Sequence, residues 1–481
     1  MNKKIASIIL FLLPVYLAFG QNKSYSLQEC VDIAIKNNLT VKSAQLQVLT
    51  DDENIKLAKA SRLPSLGLSG TQSINVGRSV NPFDNTVVEN QTVRSNSFSL
   101  GTNLNIFNGL ETFYTIQRNL ANKSASELDV KNSENNVILA TVEAYAAVAQ
   151  GKEQIIASRK QVDNLKLQQQ QTAKMVAAGA MAQVNLFDMD AQLAQEETNL
   201  VTAENQLDLA KIRLLQAMQI TDFQDIEITG MLVKEEWMMQ LIPEPAQVYE
   251  AAEKSLPQIK ASMQRIEAAY KGIRIAESNY YPTLNLQGGI FTNYSSIAQR
   301  FVPGRPLETP VLAPIPGLVF SDPSLSAFQV VTNTQGRTES LNFNEQLSNN
   351  IRQGVTLNLN IPIYSNRQVK TNVNTAKINK LSAEISMRSV KNTVRQDIET
   401  AVTSAKLAQR RYQALLNQIK AQQELFRSAE QRFQVGAMNA LDFNVITNNL
   451  SRLQTELIRQ KYEVLLRNKV IDFYMGRDLT F

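Results

Sequence analysis

Histidine is absent from this 481-residue chain. That removes the commonest metal ligand and the commonest general base, and no paired acidic motif stands in its place, so an enzyme is the weaker class. A single cysteine, Cys30, rules out an intrachain disulfide, and Leu27-Gln-Glu-Cys30 lacks the small residue that precedes a lipidated cysteine. Cys30 therefore reads as an ordinary helix-face residue. After the first twenty residues no stretch is apolar for long enough to cross a bilayer as a helix, which leaves either a soluble fold or a β-barrel. The formal charge is only +5, so nucleic-acid binding is not indicated. Twelve methionines are scattered rather than clustered; they give no soft-metal path, and no cofactor is expected.

What is present begins with an export address. Met1-Asn-Lys3-Lys4, an apolar run over 5–18 and Phe19-Gly20-Gln21 follow the order of a secretory signal peptide, expected to occupy 1–20. Without Lys3 and Lys4 the balance falls to +3, 47 basic against 44 acidic side chains. The rest of the chain says the same thing twice. Val176-Ala-Ala-Gly179-Ala-Met181 returns as Phe433-Gln-Val-Gly436-Ala-Met438, 257 residues later, and the same offset pairs Ile106-Phe107 with Ile363-Tyr364 and Met218 with Met475. Upstream, Leu63-Pro64-Ser65-Leu66 matches Tyr281-Pro282-Thr283-Leu284 at an offset of 218, so a 39-residue insertion falls between Leu284 and Ile363. Such a unit is too long for a solenoid or propeller repeat. Two fused lobes are expected, 21–230 and 245–481, joined by a linker over 231–244.

Each lobe holds a long proline-free stretch. Over 110–175 the one glycine is Gly151, and 368–435 has neither glycine nor proline. Helices of roughly 65 residues would each reach about 100 Å. Their apolar residues recur every seven: Thr141, Val148, Ile155 and Val162 in one lobe, Ile398, Ala405, Tyr412, Ile419 and Phe426 in the other. A second stripe runs through Val130, Val137 and Ala144, and through Met387, Val394 and Ala401. Sustained heptads argue for coiled-coil packing, and the run Gln168 to Gln171 reads as a solvated face. The Gly-Ala-Met turns end these helices, and heptad-like helices over 184–218 and 441–475 complete a hairpin in each lobe. Shorter helices are expected over 27–60 and 245–279, the latter broken near Pro257.

The strands decide the class. Phe98, Leu100, Thr102, Leu104 and Ile106 alternate with Ser, Gly and Asn, as do Val355, Leu357, Leu359, Ile361 and Ile363. Weaker strands start at Leu66 and Leu284. Period two over about ten residues, with one apolar and one uncharged polar face, meets the needs of a membrane strand; Phe98, Leu100, Leu104, Ile106, Val355, Leu357, Leu359 and Ile361 are expected to face lipid. Four strands cannot close a barrel, and an open edge in lipid leaves unpaired backbone groups costing several kcal/mol each. A trimer would supply twelve strands and a ring of twelve helices. Loops over 76–94, with Asn81-Pro82 and Asp84-Asn85 as turn signals, and over 295–352 would lie opposite the helices. The apolar run 310–320 would plug the mouth, contact a neighbour or pack as a lid.

Duplicated lobes, paired strands and glycine turns at helical tips together resemble the TolC-type outer-membrane efflux proteins, almost end to end. The residues that carry the resemblance are Tyr281-Pro282-Thr283-Leu284, Pro362-Ile-Tyr364-Ser-Asn366 and Arg432-Phe-Gln-Val-Gly436-Ala-Met-Asn-Ala-Leu-Asp442. The resemblance implies a mixed fold, a membrane β-barrel with four transmembrane strands per chain, closed by a homotrimer and continued by a periplasmic α-helical coiled-coil tunnel. It implies a passive exit duct in the cell outer membrane, serving a periplasmic adaptor (membrane fusion) protein and an inner-membrane efflux pump or transporter, for efflux or type I secretion. Under it Gly179, Ala180, Met181, Gly436, Ala437 and Met438 form the adaptor-docking tips. Acidic residues above the tips line an aperture in the family. Here Asp442 keeps the aspartate six residues past the glycine, the first lobe has Asn185 there, and Asp188 stands nine past; an alternative role for Asp188 or Asp442 is stabilising a helix N-terminus. The competing class is a soluble periplasmic coiled-coil adaptor or scaffold, which would not need four alternating strands.

Overall fold

A computed structural model describes residues 24–80, 87–221, 225–230, 235–304, 311–314, 328–331 and 336–477. The signal-peptide segment, the turn signals at 81–85 and most of the apolar run 310–320 lie outside the described residues. The chain forms two compact units, and each draws on both halves of the sequence. One comprises the chain up to Glu53, Arg118–Tyr270 and the chain from Lys377; the other comprises Asn54–Gln117 and Lys271–Ala376.

In chain order, β1 (Ser24–Tyr25) precedes α1 (Leu27–Asn37) and α2 (Leu39–Ala60). Ser26 and Glu29 cap α1 reciprocally, Ser26 N–H donating to Glu29 Oε2 at 2.8 Å and Glu29 N–H to Ser26 Oγ at 3.3 Å. A single helix over 27–60 was the pattern's expectation, but the chain breaks at Asn38. The Asn38 backbone is non-helical and its Oδ1 accepts from the amides of Thr40 and Val41 at 2.8 and 3.2 Å. Asparagine restarts a helix by capping it, leaving no proline to mark the break. Next come β2 (Ser65–Val80), β3 (Val87–Asn108), α3 (Glu111–Ala177) and α4 (Gln183–Ala217). Strand β4 (Glu227–Ile228) pairs in parallel with β1, followed by α5 (Glu235–Met238), α6 (Pro245–Ser255) and α7 (Pro257–Ser278). Pro257 opens α7, as the sequence suggested.

After β5 (Thr283–Ser295) the insertion contributes β6 (Gln299–Val302), β7 (Val311–Pro314), β8 (Phe328–Val331) and β9 (Arg337–Ser340), paired as β6–β9 and β7–β8. A short helix, α8 (Phe343–Asn349), leads to β10 (Arg352–Asn360), α9 (Gln368–Gln434) and α10 (Ala440–Tyr474). The duplication is visible at single-residue precision. Helices α3 and α9 each have 67 residues, α4 and α10 each have 35, and both pairs start 257 residues apart. The positive-φ residues Gly109, Leu110 and Gln219 have counterparts at Asn366, Arg367 and Gly476, again 257 on.

In the helical unit the heptad stripes are buried in part: Thr141, Val148 and Val162 on α3 and Val394, Ile398, Ala401, Ala405, Tyr412 and Ile419 on α9 are buried, whereas Val130, Val137, Ala144, Ile155, Met387 and Phe426 are half-buried. Gly151 brings α4 close, since a Cβ there would stand 3.1 Å from Leu207 Cδ1 and 3.3 Å from Leu207 Cα. Tyr145, fully buried beside Cys30, donates its hydroxyl to the carbonyl of Thr229 and also lies within reach of Tyr25 O, tying α3 to the β1–β4 pair. Burial pushes the Tyr145 phenol up to about 12 and the Cys30 thiol likewise to about 12, which keeps that lone thiol protonated and inert.

In the other unit one antiparallel sheet has the order β10-β5-β3-β2. Its first two strands run to 16 and 22 residues, so most of the expected loop over 76–94 is a continuation of their ribbon. Register shifts at Gly77, whose φ is +113°, and that shift breaks the alternation on which the sequence reading relied. Strand β10 ends at Asn360, two residues before Pro362, which has no N–H to donate. Ile361 therefore lies just past the strand rather than in it. Ile106 sits at a bulge, skipped between the pairs Asn105–Asn285 and Phe107–Leu284. Beyond Arg352, side-chain amides of α8 and its C-cap replace the missing neighbour of β5: Ser295 N–H donates to Gln346 Oε1 at 2.9 Å, Gln346 Nε2 donates to Ser295 O at 3.0 Å, and Asn350 Nδ2 donates to Asn293 O at 2.8 Å.

Candidate functional site

Strand register sorts the sheet into two faces. Leu68, Leu100, Ile290 and Leu357 belong to one, with Phe98, Leu104, Leu286, Val355 and Leu359. This face is not covered by the chain: Val355 is 76%, Leu357 60% and Leu359 61% exposed. A soluble sheet buries such a face against a second layer. The opposite face carries Ser69, Ser99, Asn103, Asn285, Gln287, Thr356 and Asn358, all uncharged, together with Phe291 and Arg352. Within the sheet β2 and β10 each have a single partner, so each presents one open edge. Apolar outside, polar inside and open-edged is the arrangement that a multichain barrel requires. No described helix is long and apolar enough to cross a membrane.

The helical tips are built by the same local rule in both lobes. Gly179 and Gly436 take φ of +73° and +74°; Ala180 N–H donates to Met175 O at 2.9 Å and Ala437 N–H to Arg432 O at 2.8 Å. These are left-handed helix ends that glycine adopts without a Cβ penalty. A Cβ on either glycine would meet nothing within 4 Å, so both turns have open space around them. Met181 and Met438, equivalent residues of the two lobes, pack against one aromatic cluster in which Phe433 and Phe443 stack 4.6 Å apart and 5° from parallel.

The acids differ between lobes. Asp442 lies in the first turn of α10, its N–H donating to Asn439 Oδ1 at 2.7 Å and its carboxylate accepting from Asn439 Nδ2 at 2.9 Å. The first lobe has Ala182 and Asn185 at these positions, and Ala182 makes no side-chain cap to α4. Asn185 and Asp188 are half-buried on α4, whereas Asp442 is exposed. One further link escaped the sequence reading: Gln192 and Asn448 exchange amide hydrogen bonds between α4 and α10, Asn448 Nδ2 donating to Gln192 Oε1 at 3.2 Å and Gln192 Nε2 to Asn448 Oδ1. Single amides among many on helix faces carry no signal of pairing. The Phe443 cluster did leave a trace, because Phe426 and Phe433 are one heptad apart.

Among the described residues no group of acidic, histidine or cysteine side chains is placed to hold a metal ion. Comparison with known proteins places this architecture. A family model described as outer membrane efflux protein matches residues 30–218 and 248–477. The outer membrane efflux protein BepC of Brucella suis is 24% identical over 447 residues, covering 92% of this chain and 84% of its own length. The outer membrane protein TolC of Escherichia coli K12 is 23% identical over 429 residues, covering 88% and 76%. The solved structure of VceC from Vibrio cholerae superposes with a TM-score of 0.68 at 14% identity, over 94% of this chain and 97% of that one. With duplicated hairpins, a two-faced sheet and a family model spanning both lobes, the chain belongs to the outer membrane efflux protein family, and it is an efflux protein of the outer membrane.

Proposed function

We propose that three copies of this chain form the exit duct of a tripartite efflux or type I secretion assembly. Each copy contributes β2, β3, β5 and β10 to a twelve-stranded barrel, and α3, α4, α9 and α10 to a periplasmic helical tunnel. The observation that carries the reading is the sheet: an exposed apolar face, a polar face whose described residues are uncharged but for Arg352, and two open edges. Phe98, Leu100, Leu104, Val355, Leu357 and Leu359 contact lipid, with Ile106 and Ile361 at the margins. Cargo reaches the duct from an inner-membrane transporter through a periplasmic adaptor, and the duct itself performs no chemistry.

Gly179, Ala180, Met181, Gly436, Ala437 and Met438 are the surface that the adaptor touches. Small side chains there let a partner hairpin approach closely. Asp442 lines the aperture at threefold-related positions, with Asn185 and Asp188 beside it, so the two aspartates of each chain stand at non-equivalent positions, six and nine residues past their glycines. The repeats 21–230 and 245–481 are the halves of each wall segment, and 231–244 links them. Conductance across a planar bilayer tests the duct: discrete channels are expected, cation-preferring and less so in Asp442→Asn. A purified, lipid-inserted protein that never conducts would remove the reading.

A further inference from the structure

On the polar face of the sheet one rung is made of glycine alone. Gly67 pairs with Gly101, Gly101 with Gly289 and Gly289 with Gly354, so all four strands are bare at one height. The neighbouring rung is Ser69, Ser99, Phe291 and Arg352, again in direct register. Among the described residues of the four-stranded register from 65–77, 95–108, 283–295 and 352–360, Arg352 carries the lone charge. Phe291 is the lone aromatic on this face. No described carboxylate pairs with Arg352.

The Phe291 ring lies back over the glycine rung: a Cβ on Gly289 would stand 2.8 Å from Phe291 Cζ. Even so the side chain is 49% exposed. A Cβ on Gly354 would meet nothing within 4 Å, so the floor beside the ring is open. Phe291, Arg352, Gly354, Ser69 and Ser99 line one cavity of about 640 Å³, within the range of small-molecule sites. The Ser69 and Ser99 hydroxyls are 2.6 Å apart, and one of the two O–H groups stays available to donate elsewhere.

We propose that this cavity binds amphipathic organic anions, a flat ring system stacking on Phe291 beside Gly354 while its sulfonate or carboxylate pairs with Arg352. Stacking on an aromatic ring and a charge-assisted bidentate contact reinforce each other when cross-strand neighbours supply them. An otherwise uncharged wall leaves the guanidinium as the local field source. Of the glycine rung, Gly354 lines this cavity and Phe291 already covers Gly289, so a side chain at Gly354 would take the space beside the ring. Every group belongs to one chain, so the site itself does not require the trimer. Its place in the lumen rests on the barrel proposed above, where three such sites would face one passage.

The probe is 1-naphthalenesulfonate, titrated calorimetrically into the full-length protein in lipid nanodiscs. One saturable site per chain is expected, weakened about tenfold in Arg352→Gln and about tenfold in Phe291→Ser. Gly354→Ala, whose Cβ would meet nothing within 4 Å, should weaken binding, and Gly354→Val should abolish it. Methanesulfonate and 1-naphthylmethylammonium, each keeping half of the chemistry, bind at least about tenfold more weakly. No saturable binding, or equal affinity in wild type and the Arg352 and Phe291 variants, overturns the site. Bilayer conductance then separates the two readings. Open channels that the sulfonate does not block would overturn the lumenal placement; absent conductance with Arg352-dependent binding would remove the duct and leave the site.

Discussion

Replacing Gln346 with leucine removes three hydrogen bonds and almost no volume. Gln346 is fully buried, and its amide holds Ser295 N–H, Ser295 O and, at 2.9 Å, Leu341 O. In Gln346→Leu the Leu341 carbonyl, part-buried, can turn to water. The Ser295 N–H cannot, because Ser295 is also fully buried, while the Ser295 carbonyl keeps the Ala298 N–H at 3.2 Å. The orphaned buried N–H costs about 1–3 kcal/mol. Opening of the α8–β5 contact is local, so the loss appears there and not across the helical unit. A loss of about 2 kcal/mol multiplies the opened population about thirtyfold. Hydrogen exchange measured by mass spectrometry checks this: peptides spanning 292–298 and 341–350 should exchange about thirtyfold faster, while the β2–β3 ladder over 65–76 stays protected. Gln346→Glu should be no better, since its second carboxylate oxygen faces two carbonyls where Nε2 donated. Unchanged protection in both variants would refute the idea that α8 serves as a surrogate strand.

Three further outcomes follow from other parts of the molecule. Asn439→Ala deletes the cap of α10 and should cost about 1 kcal/mol, read as faster exchange of amides at 440–443; Ala182→Asn should slow the equivalent amides of α4, and the opposite pattern would contradict the cap asymmetry. Tyr145 has a phenol raised by burial, so the unfolded chain ionises it first: its contribution is complete below about pH 10 and lost as pH climbs through the folded value of about 12. Alkaline melting curves should therefore fall over that window and fall less steeply in Tyr145→Phe. Leu357→Arg places a charge on the exposed apolar face, costing about 2–4 kcal/mol if that face meets hydrocarbon, and should deplete the membrane-inserted form; normal insertion would argue for a soluble sheet.

The sequence was most legible where structure is periodic. Heptads located α3 and α9, because burial every seven residues is independent of what the neighbours are. Glycine marked the tips because only a left-handed backbone ends both helices there. Single-residue devices were less legible. The Asn38 break uses a side-chain cap, the Ile106 bulge shifts phase inside an alternating run, and Gly77 hides a ribbon inside an apparent loop. Each replaces a periodic signal with one local hydrogen bond or one unpaired residue. Register was illegible as well: the glycine rung and the Phe291–Arg352 pair exist only once four strands are aligned, and their members lie up to 287 residues apart in the chain.

Edge-to-edge cross-linking tests the closed ring most directly. With Cys30→Ser as background, a cysteine at Leu68 on the open edge of β2 is combined in turn with cysteines at Val355, Leu357 and Leu359 on the open edge of β10. One of these registers should oxidise to a covalent trimer in membranes, with dimer as an intermediate and nothing larger. Monomer alone at every register, or a ladder running past the trimer, would contradict a three-chain barrel.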